Sequence, residues 1–229
     1  MYTGKKVRLR AYRPADLDDV LRQVNDYMSV RHSALGPILP ATPDDEMRWI
    51  GQQTSMTRGE YQFAIETLNG QYVGGCGFQH VDWKNRAAHI GILIGNAAMR
   101  GKGYGSDAIR VLCRIGFAEM NLHKISLTVI EGNEAAIRCY IACGFSMEGK
   151  LRDEIFREDA YHDLIAMGIL RDEWRTRSEF QAPMQMESPA QGDDFDPVSS
   201  IVGLCPAAPN KGGTFCPRPT PAARTPLIK

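Results

Sequence analysis

Seven residues, Arg100-Gly101-Lys102-Gly103-Tyr104-Gly105-Ser106, stand between a strand-like run and an apolar-periodic helix that reaches about Glu119. They constrain the folds open to this chain more than any other stretch. Exposed N–H groups at a helix start and the helix dipole both favour an anion. Glycines let the backbone approach phosphate oxygens that a Cβ would obstruct, and Arg100 and Lys102 add positive charge beside them. A sharp strand-to-helix turn also calls for glycine, so the surroundings of the loop decide how it is read. The same stretch spells Gly103-x-Gly105-x-x-Ala108, a dinucleotide fingerprint, which keeps a nicotinamide- or flavin-dependent oxidoreductase in view. That fingerprint belongs in a parallel βαβ unit. No G-K-[ST] triplet follows, which disfavours a nucleoside-triphosphate loop.

The segments before the loop argue for antiparallel pairing. Lys6 to Arg10 alternates as a half-buried strand, and Pro14 with Asp16 opens a helix running toward Tyr27. Thr42-Pro43-Asp44-Asp45 combines a side-chain cap, proline in the first turn and acids at the positive end of the dipole, so a second helix reaches about Met56. Tyr61 to Thr67 and Tyr72 to His80 flank Asn69-Gly70, a pair suited to a tight hairpin. Ala87 to Ile94 follows through a turn near Lys84-Asn85. After the loop and its helix come a strand at Ile125 to Val129, a helix from Asn133 to Cys143, and strands near Ser146 to Phe156 and Tyr161 to Ile169. The expected class is α/β in the α+β sense, a mixed and mostly antiparallel central sheet flanked by helices; a doubly wound parallel fold does not fit.

Composition sets the limits of this unit. Nine of the thirteen prolines fall from Pro183 onward, among Gly, Ser and Ala with no surviving periodicity, so the reading is one folded domain over 1–177 and a Pro-rich disordered tail over 178–229. Lysine plus arginine equals aspartate plus glutamate at 27 each, which gives no global pull toward nucleic acid or an anionic membrane. No uncharged apolar run approaches the length of a bilayer span. The six cysteines, Cys76, Cys113, Cys139, Cys143, Cys205 and Cys216, show no C-x-x-C spacing and read as reduced thiols without a metal site. Cys139 and Cys143, four apart on one helix, read as packing residues. The setting expected is cytoplasmic.

With these segments in place the sequence resembles the GNAT superfamily of N-acetyltransferases. The likeness rests on Arg100 to Gly105, on His89-Ile-Gly-Ile-Leu-Ile-Gly95 before it, on Asn121-Leu-His-Lys-Ile-Ser-Leu-Thr-Val129, on Asn133, and on Tyr140-Ile-Ala-Cys-Gly-Phe145, in that family's order. It spans about Val7 to Leu170. Glu148 to Arg152, Phe156, Tyr161-His162-Asp163 and Met167 are similar to the branch holding the ribosomal-protein N-terminal acetyltransferases and the spermidine N-acetyltransferases.

The resemblance implies splayed central strands and acetyl-CoA as cosubstrate, lying where Ile92, Leu93 and Ile94 part from the strand Ile125 to Val129. A main-chain N–H near Leu93 would polarise the thioester carbonyl. Arg100, Gly101, Lys102, Gly103, Tyr104, Gly105 and Ser106 would hold the pyrophosphate. Tyr140 matches the position of the general acid that protonates the departing thiolate. Asn133 matches a cofactor-contacting asparagine and is also a natural helix cap. His89 stands where many relatives carry glutamate, and is a candidate base alongside solvent. Asp153, Glu154 and Asp163 border the acceptor region of relatives, while Asp44, Asp45 and Glu46 suit a helix start better than a binding wall. The implied reaction is direct acetyl transfer to a primary amine in a ternary complex, the acceptor being a protein N-terminus, a polyamine or another small amine, with no nucleic-acid or membrane partner. Self-association into a homo-oligomer stays open. The competing classes are the nicotinamide-dependent oxidoreductase and a non-catalytic acyl-CoA-binding module.

Overall fold

The computed structural model describes residues 2–32, 38–53 and 60–177; the tail assigned to 178–229 lies outside them, as does the end of the second helix beyond Gln53. The hairpin expected around Asn69-Gly70 forms between β3 (Tyr61–Thr67) and β4 (Tyr72–Asp82). Gly70 takes φ +85°, a left-handed conformation that costs glycine little. The next turn is fixed by Asp82, whose carboxylate accepts from Asn85 N at 2.9 Å and Asn85 Nδ2 at 2.6 Å, and it delivers β5 (Ala87–Ile94) antiparallel to β4.

β1 (Tyr2–Thr3) and β2 (Val7–Arg10) extend the sheet on one side; β6 (Lys124–Ile130), β7 (Ser146–Arg157) and β8 (Ala160–Leu170) extend it on the other. The order is β1-β2-β3-β4-β5-β6-β8-β7. Every pairing is antiparallel except β5 with β6, so the expected class holds.

Burial separates the two faces. Ala88 and Ile90 of β5, with Phe78, Ile125, Leu127 and Val129, enter the main core under α4 (Tyr104–Arg114) and α5 (Glu134–Ala142), and Ile92 and Ile94 pack against it. On the opposite face Tyr12, Val20, Ile50 and Ala64 cluster beneath α1 (Leu17–Val24) and α3 (Pro43–Gln53). The helix expected to run unbroken to Tyr27 stops at Val24 and resumes as α2 (Tyr27–Val30). Asn25 turns its side chain out to Ala41, giving Nδ2 to the carbonyl at 3.0 Å and accepting the amide at 2.8 Å. A short α6 (Arg171–Arg175) closes the described chain.

Three buried carboxylates brace this frame. Asp107, in the first turn of α4, accepts the amides of Lys5, Lys6 and Val7 at 3.2, 2.7 and 3.0 Å, which ties β2 to the helix that follows the glycine loop. Asp16 meets the Arg10 guanidinium with both oxygens, at 2.7 and 2.8 Å, while Glu66 takes Arg10 Nε at 2.7 Å. Burial works against each of these charges. The pairing outweighs it, holding Asp16 below the usual carboxylate range and Arg10 above its own.

Candidate active site

The sheet opens at its centre. β5 and β6 pair only at Ala87↔Lys124, Ala88↔Ile125 and His89↔Ser126, although β5 runs on to Ile94 and β6 to Ile130. Each strand stays paired on its outer side: β5 with β4 as far as Ile94↔Gly74, and β6 with β8 as far as Ile130↔Leu164. The inner edges of residues 90–94 and 127–130 therefore lack a strand partner, and backbone polar groups in such a place call for one. An extended ligand carrying amides fits that need.

β5 is drawn toward β4 because β4 is glycine-rich there. A Cβ at Gly74 would stand 2.0 Å from the Leu93 carbonyl oxygen, which also accepts Gln23 Nε2 at 3.4 Å. One extra residue at Gln79 bulges β4, so that Phe78 pairs with Ile90 and His80 with His89. By strand alternation His89 shares the face of Leu93, opposite the main core that takes Ala88 and Ile90, and it is half-buried. Its imidazole is held below the usual histidine range by burial first and then by His80. The Ser126 hydroxyl lies 3.3 Å from the Ala88 carbonyl and 3.4 Å from His89 Nδ1. Ser126 Oγ donates to the carbonyl; the His89 tautomer that carries its proton on Nδ1 would donate to the serine oxygen and leave Nε2 as the acceptor.

The glycine loop starts at the far end of β5. Gly101 and Gly103 take φ +72° and +84°, and Gly103 is the N-cap of α4, where unpaired amides face outward. Gly105 lies over the gap edge, a Cβ there meeting Ile94 Cγ1 at 3.7 Å and Ile92 Cδ1 at 4.0 Å. Arg100 takes a part that the sequence does not announce. Its guanidinium is turned inward, onto the carbonyls of Ile94 and Gly95 at 3.0 and 3.2 Å and the Ser29 hydroxyl at 3.2 Å, so it staples the loop to β5 and α2. Lys6, read from the sequence only as the start of the first strand, brings Nζ to the Lys102 carbonyl at 2.8 Å.

Across the gap, Asn133 caps α5, its side chain accepting from Ala136 N at 3.3 Å, so the capping role is realised. Gly144, at φ +98°, ends the helix: Phe145 N donates to the Tyr140 carbonyl at 3.0 Å and Gly144 N to that of Ile141 at 2.9 Å, a Schellman closure. Tyr140 is 8% exposed, its ring centroid 6.1 Å from that of Phe145. Burial, then Cys139 and Cys143, pushes its phenol above the usual range. Tyr140 thus lies on the α4 and α5 face of the sheet, in the main core, and His89 on the opposite face.

Two of the acids considered for the acceptor wall are engaged in local pairs. Asp163 binds Lys150 Nζ at 2.8 Å and the Asp153 amide at 2.8 Å, and Asp45 pairs with Thr42 and Arg48 at the start of α3. A contact from α2 to the β7–β8 hairpin, Tyr27 Oη to Glu158 Oε1 at 2.7 Å, spans 131 positions and left no local signal. Among the described residues no cluster of His, Cys, Asp and Glu could hold a metal ion.

The profile of the Acetyltransferase (GNAT) domain matches residues 6–146. The chain belongs to the GNAT acetyltransferase family. Acetyl-CoA is the acetyl donor of this GNAT enzyme, and its chemistry is N-acetyl transfer; the oxidoreductase and non-catalytic readings find no support. The prophage-derived N-acetyltransferase YokL of Bacillus subtilis is 27% identical over 180 residues, 76% of this chain and 94% of that one. Spermidine N(1)-acetyltransferase of Vibrio cholerae is 30% identical over 135 residues, 59% of this chain and 78% of that one. The crystal structure of a Vibrio cholerae spermidine N-acetyltransferase with CoA and spermine superimposes on this GNAT fold with TM-score 0.67 at 26% identity, covering 74% of this chain and 98% of that one. No helix among the described residues is long and apolar enough to cross a membrane.

Proposed function

We propose that this chain acetylates a primary amine of the polyamine kind by direct transfer between β5 and β6, with Tyr140 as acid and His89 as base. The observation that carries the reading is the loss of pairing after His89↔Ser126, beside a helix start with bare amides. Main-chain groups of Ile92, Leu93 and Ile94 line one edge of the gap and bind the pantetheine amides; an N–H at Leu93 polarises the thioester carbonyl as charge builds on its oxygen. Gly101 to Ser106 take the pyrophosphate on backbone N–H groups.

The acceptor enters from the face that carries His89. Its amine must be neutral to attack, and His89, in the tautomer with Nε2 unprotonated, takes the proton directly or through one water. Tyr140, protonated throughout the neutral range, delivers a proton to the departing thiolate. The burial that raises the phenol also raises the proton affinity of a thiolate formed beside it. A polyamine is favoured over the other acceptors by the likeness to the spermidine enzymes. The reading includes a cytoplasmic setting, in keeping with four free cysteines among the described residues.

The test is thiol release from acetyl-CoA with spermidine, an amino-terminal peptide and an aminoglycoside in parallel. Spermidine should give the highest kcat/KM. Turnover with the peptide alone would overturn the acceptor, and turnover with none of them would overturn the reading itself.

A further inference from the structure

Lys6 precedes β2, far from the glycine loop in sequence and against it in space. Three ties hold it there. The buried Asp107 carboxylate, in the first turn of α4, takes the amides of Lys5, Lys6 and Val7. Gly4 permits that close approach, since a Cβ there would lie 2.5 Å from Asp107 Oδ2, and its own amide turns back to the Val7 carbonyl at 2.8 Å. Further along α4, Arg114 reaches the Thr3 carbonyl at 2.7 Å. The Lys6 side chain completes the arrangement. Its Nζ donates to the Lys102 carbonyl at 2.8 Å, and its stem runs over Gly103, where a Cβ would meet Nζ at 3.1 Å, Cε at 3.7 Å and Cδ at 3.8 Å. An exposed ammonium is thus seated beside the residue that opens α4. An ammonium has three protons to give; one is used on Lys102, and the others are left for an anion.

Charge balance at the loop gives this placement a purpose. A diphosphate diester bears a negative charge on each of its phosphates, and Asp107 adds a carboxylate in the first turn of the same helix. Arg100, the arginine of the loop, is turned inward onto the carbonyls of Ile94 and Gly95 and the Ser29 hydroxyl. The cation seated at Gly103 comes instead from the chain ahead of β2. We propose that Lys6 is a diphosphate-binding residue of the acetyl-CoA site, supplied from outside the glycine motif, an inference that rests on the functional reading for the place of the diphosphate. The amides of Gly101 to Ser106 give directional hydrogen bonds, and Lys6 adds a charge-assisted one at the same helix start. Asp107 fixes the Lys6 backbone to α4, so the ammonium is held to the loop that it serves. Its bond to Lys102 gives up part of its side-chain freedom before the ligand arrives, which lowers the cost of binding.

The experiment measures acetyl-CoA affinity by calorimetry for the full chain and for Lys6→Met, Lys6→Arg and Lys5→Met, with amide exchange at 101–106 in the unliganded chains as a second readout. Lys6→Met should weaken acetyl-CoA binding roughly tenfold, and Lys6→Arg should keep most of the affinity. Lys5→Met removes the same charge one position away and should stay within about a factor of two. The loss in Lys6→Met should persist with 3′-dephospho-acetyl-CoA, vanish with acetyl-pantetheine, which has no diphosphate, and shrink as salt is raised. Exchange at 101–106 should match that of the unchanged chain. Undiminished affinity in Lys6→Met, an equal loss in Lys5→Met, or a loss confined to ligands with the 3′-phosphate would each overturn the proposal. So would a loss accompanied by faster exchange at 101–106, because Lys6 would then only brace the loop. Failure of the unchanged chain to bind acetyl-CoA would instead overturn the functional reading.

Discussion

His89 and Ser126 form the last rung between β5 and β6, and their side chains meet at the same point, Nδ1 to Oγ at 3.4 Å. The place where the sheet stops pairing is also where a neutral imidazole is oriented. The parting of the strands and the positioning of the proposed base are one structural event.

Removing the phenol tests the acid. Tyr140→Phe keeps the ring against Phe145 and should lower kcat by about 10²-fold or more, with acetyl-CoA affinity by calorimetry within about a factor of two. An unchanged kcat would remove Tyr140 from the proton path.

The base is read from pH. His89 titrates below about 6.5 because it is buried and near His80, so kcat/KM should fall as pH drops through that lowered pKa, and His89→Ala should lose this limb. The same depression makes the unfolded chain bind the proton first. This stability contribution is whole above about 6.5 and declines as pH falls through the folded pKa. A limb that survives in His89→Ala assigns the proton to water or to another group.

Gly74→Ala tests the opening mechanically. A methyl 2.0 Å from the Leu93 carbonyl must push β5 away from β4 and into the gap. Acetyl-CoA binding should weaken roughly tenfold, about 1.4 kcal/mol, with a lower Tm. Retained affinity would show that the edge at Leu93 is not part of the donor site.

Asp107→Ala leaves the amides of Lys5, Lys6 and Val7 without their acceptor. The expected loss is on the order of 3 kcal/mol, read from the urea midpoint. A change below about 0.5 kcal/mol would mean that β2 holds its place without this tie.

Truncation after Arg177 should leave the melting transition and the turnover of acetyl-CoA nearly unchanged, because the proposed catalytic residues all precede it. Loss of folded protein on this cut would overturn the boundary read from the proline distribution.

The meander from Tyr61 to Ile94 was legible because its signals are local: alternation, Asn69-Gly70, and the turn at Asn85. The glycine loop, the cap at Asn133 and the Gly144 closure were legible for the same reason. The Gln79 bulge was not, since an extra residue is visible only against the register of a partner strand. The break at Asn25 depends on Ala41, and the inward turn of Arg100 on Ser29. The strand Tyr2–Thr3 and the helix Arg171–Arg175 are too short to carry a period. Local chemistry wrote the elements, whereas contacts distant in sequence assembled the site.

Each half of this sheet is held together by its own strand pairing, and the two meet at the three residues of β5 that end in His89. Such a junction behaves as a hinge when bare and as a continuous seam once a ligand backbone is laid into it. Donor occupancy should therefore be felt as stiffness across the whole molecule, in amide exchange as far away as β2 and β7, and not only where the thioester is cleaved.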